Sequence, residues 1–459
     1  MIRKSVHAAL LAGSAFVLST GASAQETPVE QAAEPTDPDQ SDATADAAIA
    51  AATPVDEMQA KIELLTAQVE ALQEALAGVQ AAQVKATPSW KGGPLFEDKE
   101  AGWSFKPRGR LMYDIGWVES PSGFHNAGLG FSNEVRRARL GVEGTVPGGF
   151  GYKFELDFAD GVEFADAFLN YKTGPWEFSV GQHNNFQALD ELTSSLHSSF
   201  IERAAFTDAF GFERRVGVSA QYSKGALLAQ AGLFSDSVSD LNSIGDDNNS
   251  WSADGRIVYA PLMGSSQLHF GASGHFRQLN DASSTVRYRQ RPAIHTTDVR
   301  FVDTGNINGV DTETGLGLEA AGIFGRFHLA SEAYWQKVGR SGDDPTFFGA
   351  YVEGGYFFTG ESRGYKGGKF DRVKVLKPFD KGGWGSFGLN LRWDYLDLKD
   401  EGIIGGTQNA FQASLNWKPM DYILFGLNAG HILYDDAVSA GGDNEYSVNV
   451  AAMRAQVDF

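Results

Sequence analysis

The chain has 459 residues and a formal net charge of −20, which excludes a general nucleic-acid binder, since such proteins carry a basic field. It has no cysteine, which excludes disulfide staples and thiolate metal sites. With 32 Phe, 14 Tyr, 9 Trp and 54 Gly it is rich in the residues of interfacial girdles and tight strand turns, yet past the N-terminus no apolar run is long enough for a helical membrane span.

In chain order, Arg3 and Lys4 precede an apolar run from Ala8 to Leu18 and then Ala22-Ser23-Ala24. That order predicts a signal peptide over 1–24, a mature start at Gln25 and export. Residues 25–57 are rich in Ala, Pro, Thr, Asp and Glu without a basic residue, which predicts a disordered acidic spacer. That spacer holds much of the negative balance, so net charge says little about the rest of the chain. From Met58 the apolar residues are Ile62, Leu65, Val69, Leu72, Leu76 and Val79, at spacings alternating four and three. This heptad seam predicts a coiled-coil helix over 58–87, capped by Asp56, losing its seam at Gln83 and stopped by Pro88. Three heptads span only ~30 Å and are marginal alone, so self-association is favoured over a lone helix. Residues 88–103 form a linker.

From Ser104 to Phe459 the pattern changes to stretches of alternating apolar and polar residues, separated by Gly, Asp, Asn and Pro. In Phe387-Leu389-Leu391-Trp393-Tyr395 the alternate positions include Asn390, Arg392 and Asp394, with a slip of phase expected at Leu396-Asp397. Such strands have one apolar and one polar face. A sandwich would turn the apolar face to a core, whereas a membrane barrel turns it to lipid. Sixteen strands are predicted: 104–118, 133–146, 150–159, 162–172, 175–183, 214–223, 225–235, 250–260, 265–277, 315–324, 326–337, 347–359, 383–398, 408–418, 421–434 and 445–459. Alternate connections are short, as at Pro147-Gly148-Gly149 and Gly174-Pro175, while the other set holds the long loops 184–213, 236–249 and 278–314. The expected fold is all-β: a 16-stranded antiparallel transmembrane β-barrel over 104–459, with an N-terminal periplasmic coiled-coil helix. One connection, Gly360–Gly382, is too long for its side, which implies either a miscount or a special role. The last strand changes phase between Val450 and Met453, predicting a bulge at Ala451-Ala452, and its terminal Phe459 looks like the signal for outer-membrane insertion.

Arg136-Arg137-Ala138-Arg139-Leu140-Gly141-Val142-Glu143-Gly144, followed by Tyr152-Lys153-Phe154-Glu155-Leu156-Asp157-Phe158, resembles the phosphate-selective porin family. Asp166-Ala167-Phe168-Leu169-Asn170-Tyr171 is similar to its next strand. Val180-Gly181-Gln182, Glu191-Leu192-Thr193-Ser194-Ser195 and Phe200-Ile201-Glu202-Arg203 are similar to the segments around its inward-folding third loop. Thr359-Gly360-Glu361-Ser362-Arg363-Gly364-Tyr365, with Pro378-Phe379, is similar to a further family stretch. The resemblance covers essentially 104–459 and implies a sixteen-stranded homotrimeric channel narrowed by loop 3. Phosphate-specific members carry Arg and Lys on that loop. Here it has Arg203 alone against Asp190, Glu191, Glu202, Asp208 and Glu213, and Asn184-Asn185-Phe186-Gln187 replaces a Lys-Pro-Phe-like segment. The resemblance therefore implies the family, while the acidic loop 3 leaves phosphate selectivity open.

A charge on the lipid face costs about 2–4 kcal/mol at the midplane, which fixes the phase of the first two strands. With Leu111, Tyr113, Ile115 and Trp117 outward, Lys106, Arg108, Arg110 and Asp114 face the lumen. With Ala138, Leu140 and Val142 outward, Arg137, Arg139 and Glu143 face inward and Arg136 lies at the outer rim. Arg392 occupies the polar face of its strand. These cations form either a basic wall that attracts anions or structural pairs, with Arg110 opposite Gly141, Arg108 near Glu143 and Arg137 near Asp114. A basic wall facing an acidic loop 3 would set a transverse field and weaken ion preference. Asp246-Asp247-Asn248-Asn249 reads as a calcium loop or a solvated turn. Lys366, Lys369, Arg372, Lys374 and Lys377 gather anions at one mouth or form a solvated loop.

No hydrolase motif and no metal spacing occur, so neither an enzyme nor a cofactor is expected. The reading is an outer-membrane porin of a Gram-negative bacterium that passes small anions such as phosphate or polyphosphate. Its expected partners are the lipid bilayer and lipopolysaccharide, its own trimer mates, and a cell-wall or envelope partner for the coiled coil. The alternatives are a weakly selective general or nutrient porin and an envelope tether with a coiled-coil arm.

Overall fold

In the computed structural model the described residues are 54–86, 89–90, 92–126, 128–241, 250–280 and 284–459. The signal peptide, the acidic spacer up to residue 53 and the Asp246–Asn249 stretch lie outside them. The chain divides into two compact units, Met1–Ala75 and Leu76–Phe459. In the first, every described residue belongs to helix α1, Pro54–Ala86. The helix starts at Pro54, where a missing N–H costs nothing, so Asp56 sits inside the first turn and not before it. The seam residues Ile62, Leu65, Val69, Leu72 and Leu76 are between 51% and 68% exposed.

The second unit is a closed sheet. Its strands are β1 Trp103–Val118, β2 Gly130–Val146, β3 Phe150–Asp157, β4 Glu163–Thr173, β5 Trp176–Asn184, β6 Arg214–Lys224, β7 Leu227–Phe234 and β8 Trp251–Tyr259. They continue as β9 Ser266–Gln278, β10 Val310–Phe324, β11 Phe327–Arg340, β12 Thr346–Phe357, β13 Ser386–Asp400, β14 Ile403–Met420, β15 Ile423–Asp435 and β16 Tyr446–Asp458. Each pairs antiparallel with the next. β16 then pairs with β1, from Val450↔Val118 to Asp458↔Arg110, so the barrel has no open edge. The terminal Phe459 exchanges two backbone hydrogen bonds with Gly109, at 3.0 and 3.1 Å, and its ring fills the space a Cβ on Gly109 would need. Within the expected linker, Pro94–Asp98 pairs with the start of β1.

Alternation explains most of the barrel, and its exceptions have local causes. Leu391, Phe411, Leu427 and Met453 point outward and are exposed, while Arg392, Gln412 and Arg454 point inward and are buried. The faces of β13 do not slip at Leu396-Asp397, because Leu396 and Leu398 point inward and are fully buried; its register against β14 shifts only between Asp397 and Lys399. Nor does β16 bulge at Ala451-Ala452: its register is unbroken, and Val448 and Val450 face the interior. Both corrections share one reason. The long connection 279–309 folds over this end of the lumen and buries Ile294, Val299, Phe301 and Val302. The Phe301 ring lies 5.1 Å from Tyr434 and 5.7 Å from Tyr446. Apolar residues there meet a loop core inside the barrel, a possibility the alternation rule leaves out.

Another exception changes the site. The pairing of β1 with β2 shifts at Met112/Tyr113, where Met112 faces Arg137 and Tyr113 faces Val135. Arg136 is the extra residue of a bulge, so it turns inward beside Arg137 and does not lie at the outer rim. The same register places Arg110 opposite Arg139 and Arg108 opposite Gly141, two residues from the expected pairing. The long connection 358–385 reflects no miscount. It re-enters the lumen as a hairpin, Gly364–Lys366 with Lys369–Asp371, turning at Gly367 and Gly368, both in left-handed conformations that favour glycine.

The bulge is testable because the natural chain has no cysteine. Arg136→Cys and Arg137→Cys are expected to react with a charged, membrane-impermeant thiol reagent. Val135→Cys and Leu140→Cys are expected to react only with a lipid-soluble one. Labelling of Arg136→Cys by the lipid-soluble reagent alone would contradict the bulge.

Candidate functional site

Loop 3, residues 185–213, lies inside the barrel, where its backbone groups are hidden from bulk water and each must find a partner. The wall supplies them. Glu332 on β11 accepts the amides of Leu189 and Asp190 at 2.6 and 2.7 Å, at the start of the short helix α2, Leu189–Leu192. Asp394 on β13 accepts the amide of Ala205 at 2.9 Å, at the start of α3, Ala205–Ala209. Arg392 donates to the Glu202 carbonyl and Arg454 to that of Ile201. Ser414 and Asn416 donate to the Ser199 carbonyl at 2.6 and 2.7 Å. Within the loop, Arg203 gathers the carbonyls of Asp190, Glu191 and Thr193. Phe206 adds the apolar part, stacked on Tyr334 and Tyr351 with ring centroids 5.8 and 6.3 Å away.

Loop 3 therefore occupies the β10–β16 side of the lumen and leaves space toward β1–β6. An outer vestibule of about 460 Å³ lies on the long-loop side and a lower chamber of about 630 Å³ on the short-turn side. Five residues line both: Arg137, Arg139, Glu191, Arg203 and Arg214. They stand at the junction of the two cavities. Arg139 pairs with Asp157 at 2.7 Å and Glu155 at 3.2 Å. Arg214 pairs with Asp166 at 2.8 Å and Arg203 with Glu191 at 3.3 Å. Arg137 makes no hydrogen bond or ion pair with another described residue and is half-buried. The junction thus carries four guanidiniums, one of them unpaired among the described residues, and one carboxylate.

Charge is distributed unevenly on either side. Twelve Lys and Arg line the lower chamber against six Asp and Glu, whereas six Arg line the outer vestibule against seven carboxylates. Lys106, Arg108 and Arg110 belong to the lower chamber. Arg108 pairs with Glu143, and Arg110 reaches Glu155 at 3.4 Å and Ser195 at 3.2 Å. Lys366 and Lys369 of the inserted hairpin line the same chamber. Arg372 is held by Asp458, and Arg363 donates to the His197 carbonyl of loop 3.

The site residues expected from sequence separate into two groups. Arg137, Arg139, Arg203 and Glu191 meet at the junction of the two cavities. Arg392 does not reach the cavities: it is 3% exposed, bonded to Glu353 at 2.7 Å, and packed on the rings of Phe200 and Tyr351. Of the acidic residues, Asp190 accepts the Ala204 amide, Glu202 pairs with Arg136 and Arg454, Asp208 with Arg291 and Glu213 with Arg215. Arg214, Arg136 and Lys153 were missed. The adjacent Arg214-Arg215 pair, directly after an acidic loop, was the available signal.

Burial pushes the Glu191 carboxyl above its ordinary range, against the pull of Arg203, Arg214 and Arg137. Burial also pushes Glu202 upward, yet Arg136 and Arg454 hold it well below the usual carboxylate range. His197 is pushed down to about 2 by burial and the nearby Arg372, Lys418 and Arg363, so it stays neutral.

The sequence profile of the phosphate-selective porins O and P matches residues 105–459. The chain belongs to this porin family. It is 49% identical over 381 residues to an uncharacterized protein of Caulobacter vibrioides, covering 81% of this chain and 77% of that one. Its fold is similar to an anion-selective porin from Comamonas acidovorans (TM-score 0.52, 13% identity, 78% of this chain and 100% of that one). It is also similar to OprB of Pseudomonas putida (TM-score 0.50, 9% identity, 79% and 95%). The porin is an outer-membrane channel, and by the general rule for such barrels its short turns face the periplasm. Among the described residues no helix is long and apolar enough to cross a membrane.

Because Glu332 accepts two amides of α2, Glu332→Ala is expected to leave buried donors unpaired at a cost of about 1–3 kcal/mol each. Single-channel recording should then show noisier currents through an unchanged barrel. Currents as quiet as those of the natural porin would show that Glu332 does not hold loop 3.

Proposed function

We propose that this porin passes small anions, phosphate among them, by passive diffusion through an eyelet narrowed by loop 3. The observation that carries this is the unpaired Arg137 at the junction of two cavities, the lower of which has twice as many cations as carboxylates. An anion leaving water for the eyelet recovers part of its hydration from the guanidinium donors. The excess of cations below then draws it toward the periplasm. Lys106, Arg108, Arg110 and Arg139 contribute to this field although most are paired, since a paired guanidinium keeps free donors. Arg203 supports the loop and faces the eyelet. Arg392 is assigned to holding loop 3.

A weakly selective general porin is the second reading. It draws support from the carboxylate partners of Arg139, Arg203 and Arg214, and from Glu191 facing Arg137 across the eyelet.

A unit charge about 6 Å from a permeating ion in a wet lumen is worth roughly 1 kcal/mol, or about fivefold in its distribution. In a planar bilayer under a potassium chloride gradient, the reversal potential is expected to show chloride preferred over potassium. Arg137→Ala should reduce that ratio about fivefold or more. Because burial raises the Glu191 carboxyl, it takes up a proton at a higher pH than an ordinary glutamate as pH falls, and the eyelet loses its one negative charge. Anion preference should therefore rise with falling pH in the natural porin, and Glu191→Gln should hold it high throughout. Cation preference, or no effect of Arg137→Ala, would leave the general-porin reading.

The assembly is proposed to be a homotrimer in which α1 associates through Ile62, Leu65, Val69, Leu72 and Leu76, since an apolar seam exposed along a helix gains most from a second copy. The mass of the purified porin in detergent should correspond to three chains. Deletion of 25–87 should leave conductance intact while lowering trimer stability. A trimer equally stable without 25–87 would remove the coiled coil from the assembly and favour an envelope partner for it.

A further inference from the structure

The connection 358–385 does two things, and only its first half enters the lumen. The second half, residues 374–385, leaves the barrel at the short-turn rim and presents apolar side chains outward. Leu376, Phe379 and Trp384 are 62%, 60% and 79% exposed. Lys374, Lys377 and Lys381 stand among them, exposed and without an ion pair to any described residue, while Asp380 is the one carboxylate of the stretch.

The segment has a fixed shape. Gly383 and Lys381 donate to the Pro378 carbonyl at 3.0 and 3.1 Å, Gly382 to Phe379 at 3.1 Å, and Gly385 to Lys377 at 2.9 Å. Its start is held by the Val375 amide on Asp421 at 2.7 Å and the Leu376 amide on Glu361 at 3.1 Å. Its end hangs on the barrel exterior, where the Trp417 indole donates to the Trp384 carbonyl at 2.9 Å. Trp417 is the middle of an aromatic row across β13, β14 and β15. It stacks on Phe387 at 5.9 Å and on Phe425 at 5.4 Å. Such a row on the outer face near strand ends is the girdle that sits at lipid headgroup level. Trp384 is tied to that row through its carbonyl, and Lys374, Lys377 and Lys381 precede it in the same segment.

We propose that residues 374–385 form an interfacial anchor that binds anionic phospholipid headgroups of the periplasmic leaflet. Trp384 enters the headgroup zone, where an aromatic ring with a polar edge is best placed, and Phe379 adds apolar area beside it. Lys374, Lys377 and Lys381 meet the phosphates, as basic residues beside an interfacial apolar segment do. The apolar exposure argues against a free solvated loop, and continuity with the girdle argues for lipid over a partner deeper in the periplasm. The inference rests on the membrane orientation of the barrel and is independent of its ion preference.

The test uses the full-length porin in detergent, with thermal unfolding of the barrel followed as phosphatidylglycerol or phosphatidylcholine is added. Phosphatidylglycerol is expected to raise the midpoint by several degrees more than phosphatidylcholine. The variant Lys374→Gln/Lys377→Gln/Lys381→Gln should lose that excess while keeping single-channel conductance. Inorganic phosphate should not reproduce the shift. In vesicles, the difference in emission between the natural porin and Trp384→Phe should be quenched by a spin label in the lipid headgroup region. An undiminished phosphatidylglycerol shift in the triple variant would overturn the proposal. So would an unquenched Trp384 component, which would place the segment in water, facing the cell wall or a protein.

Discussion

A loop folded into a barrel must have its backbone hydrogen bonds completed by the barrel, and the rest of this structure depends on that requirement. Loop 3 forms only two short helices, so most of its amides and carbonyls lack helical partners. Strand side chains that face the lumen supply them: Glu332 and Asp394 for amides, and Arg392, Arg454, Ser414 and Asn416 for carbonyls. Since an unpaired buried group costs about 1–3 kcal/mol, these contacts fix the path of the loop, while burial of Leu189, Phe200, Ile201, Phe206 and Phe210 supplies its apolar packing. They commit one side of the lumen to support and leave the other for conduction.

The division also sorts the charges. On the supporting side, Arg392 and Glu353 pair with side-chain exposures of 1% and 5%, so they set position and contribute little to the field seen by an ion. On the open side, Arg137 makes no ion pair among the described residues, and Arg139 and Arg214 keep part of their surfaces open to the cavities. The inserted hairpin carries Lys366 and Lys369 into the lower chamber, so a periplasmic connection adds two cations to those the strands supply. Asymmetry between the two mouths is a consequence of three inserted segments, each held by its own contacts.

The sixteen strands were legible because the lipid face tolerates almost no charge and the pleat repeats every two residues. All sixteen lie close to their expected places, and the short turns alternate as expected. What alternation could not show was where the interior is dry. Leu396, Leu398, Val448 and Val450 are apolar and face inward because the connection 279–309 covers them. A sequence rule that equates apolar with lipid reads such positions as slips or bulges. The bulge at Arg136 was hidden for the opposite reason: three arginines among four residues fit either phase, and only pairing with β1 decides between them. The role of Arg392 was equally hidden, because facing the lumen and lining the pore are the same statement until loop 3 is in place.

Anomalous diffraction from crystals of the porin soaked in bromide tests the central claim most directly, since it locates an anion against named side chains. The account predicts a bromide peak beside the Arg137 guanidinium, between the outer vestibule and the lower chamber, that disappears in Arg137→Ala. A lumen with no peak at Arg137, or a rubidium peak at Glu191 in its place, would contradict it.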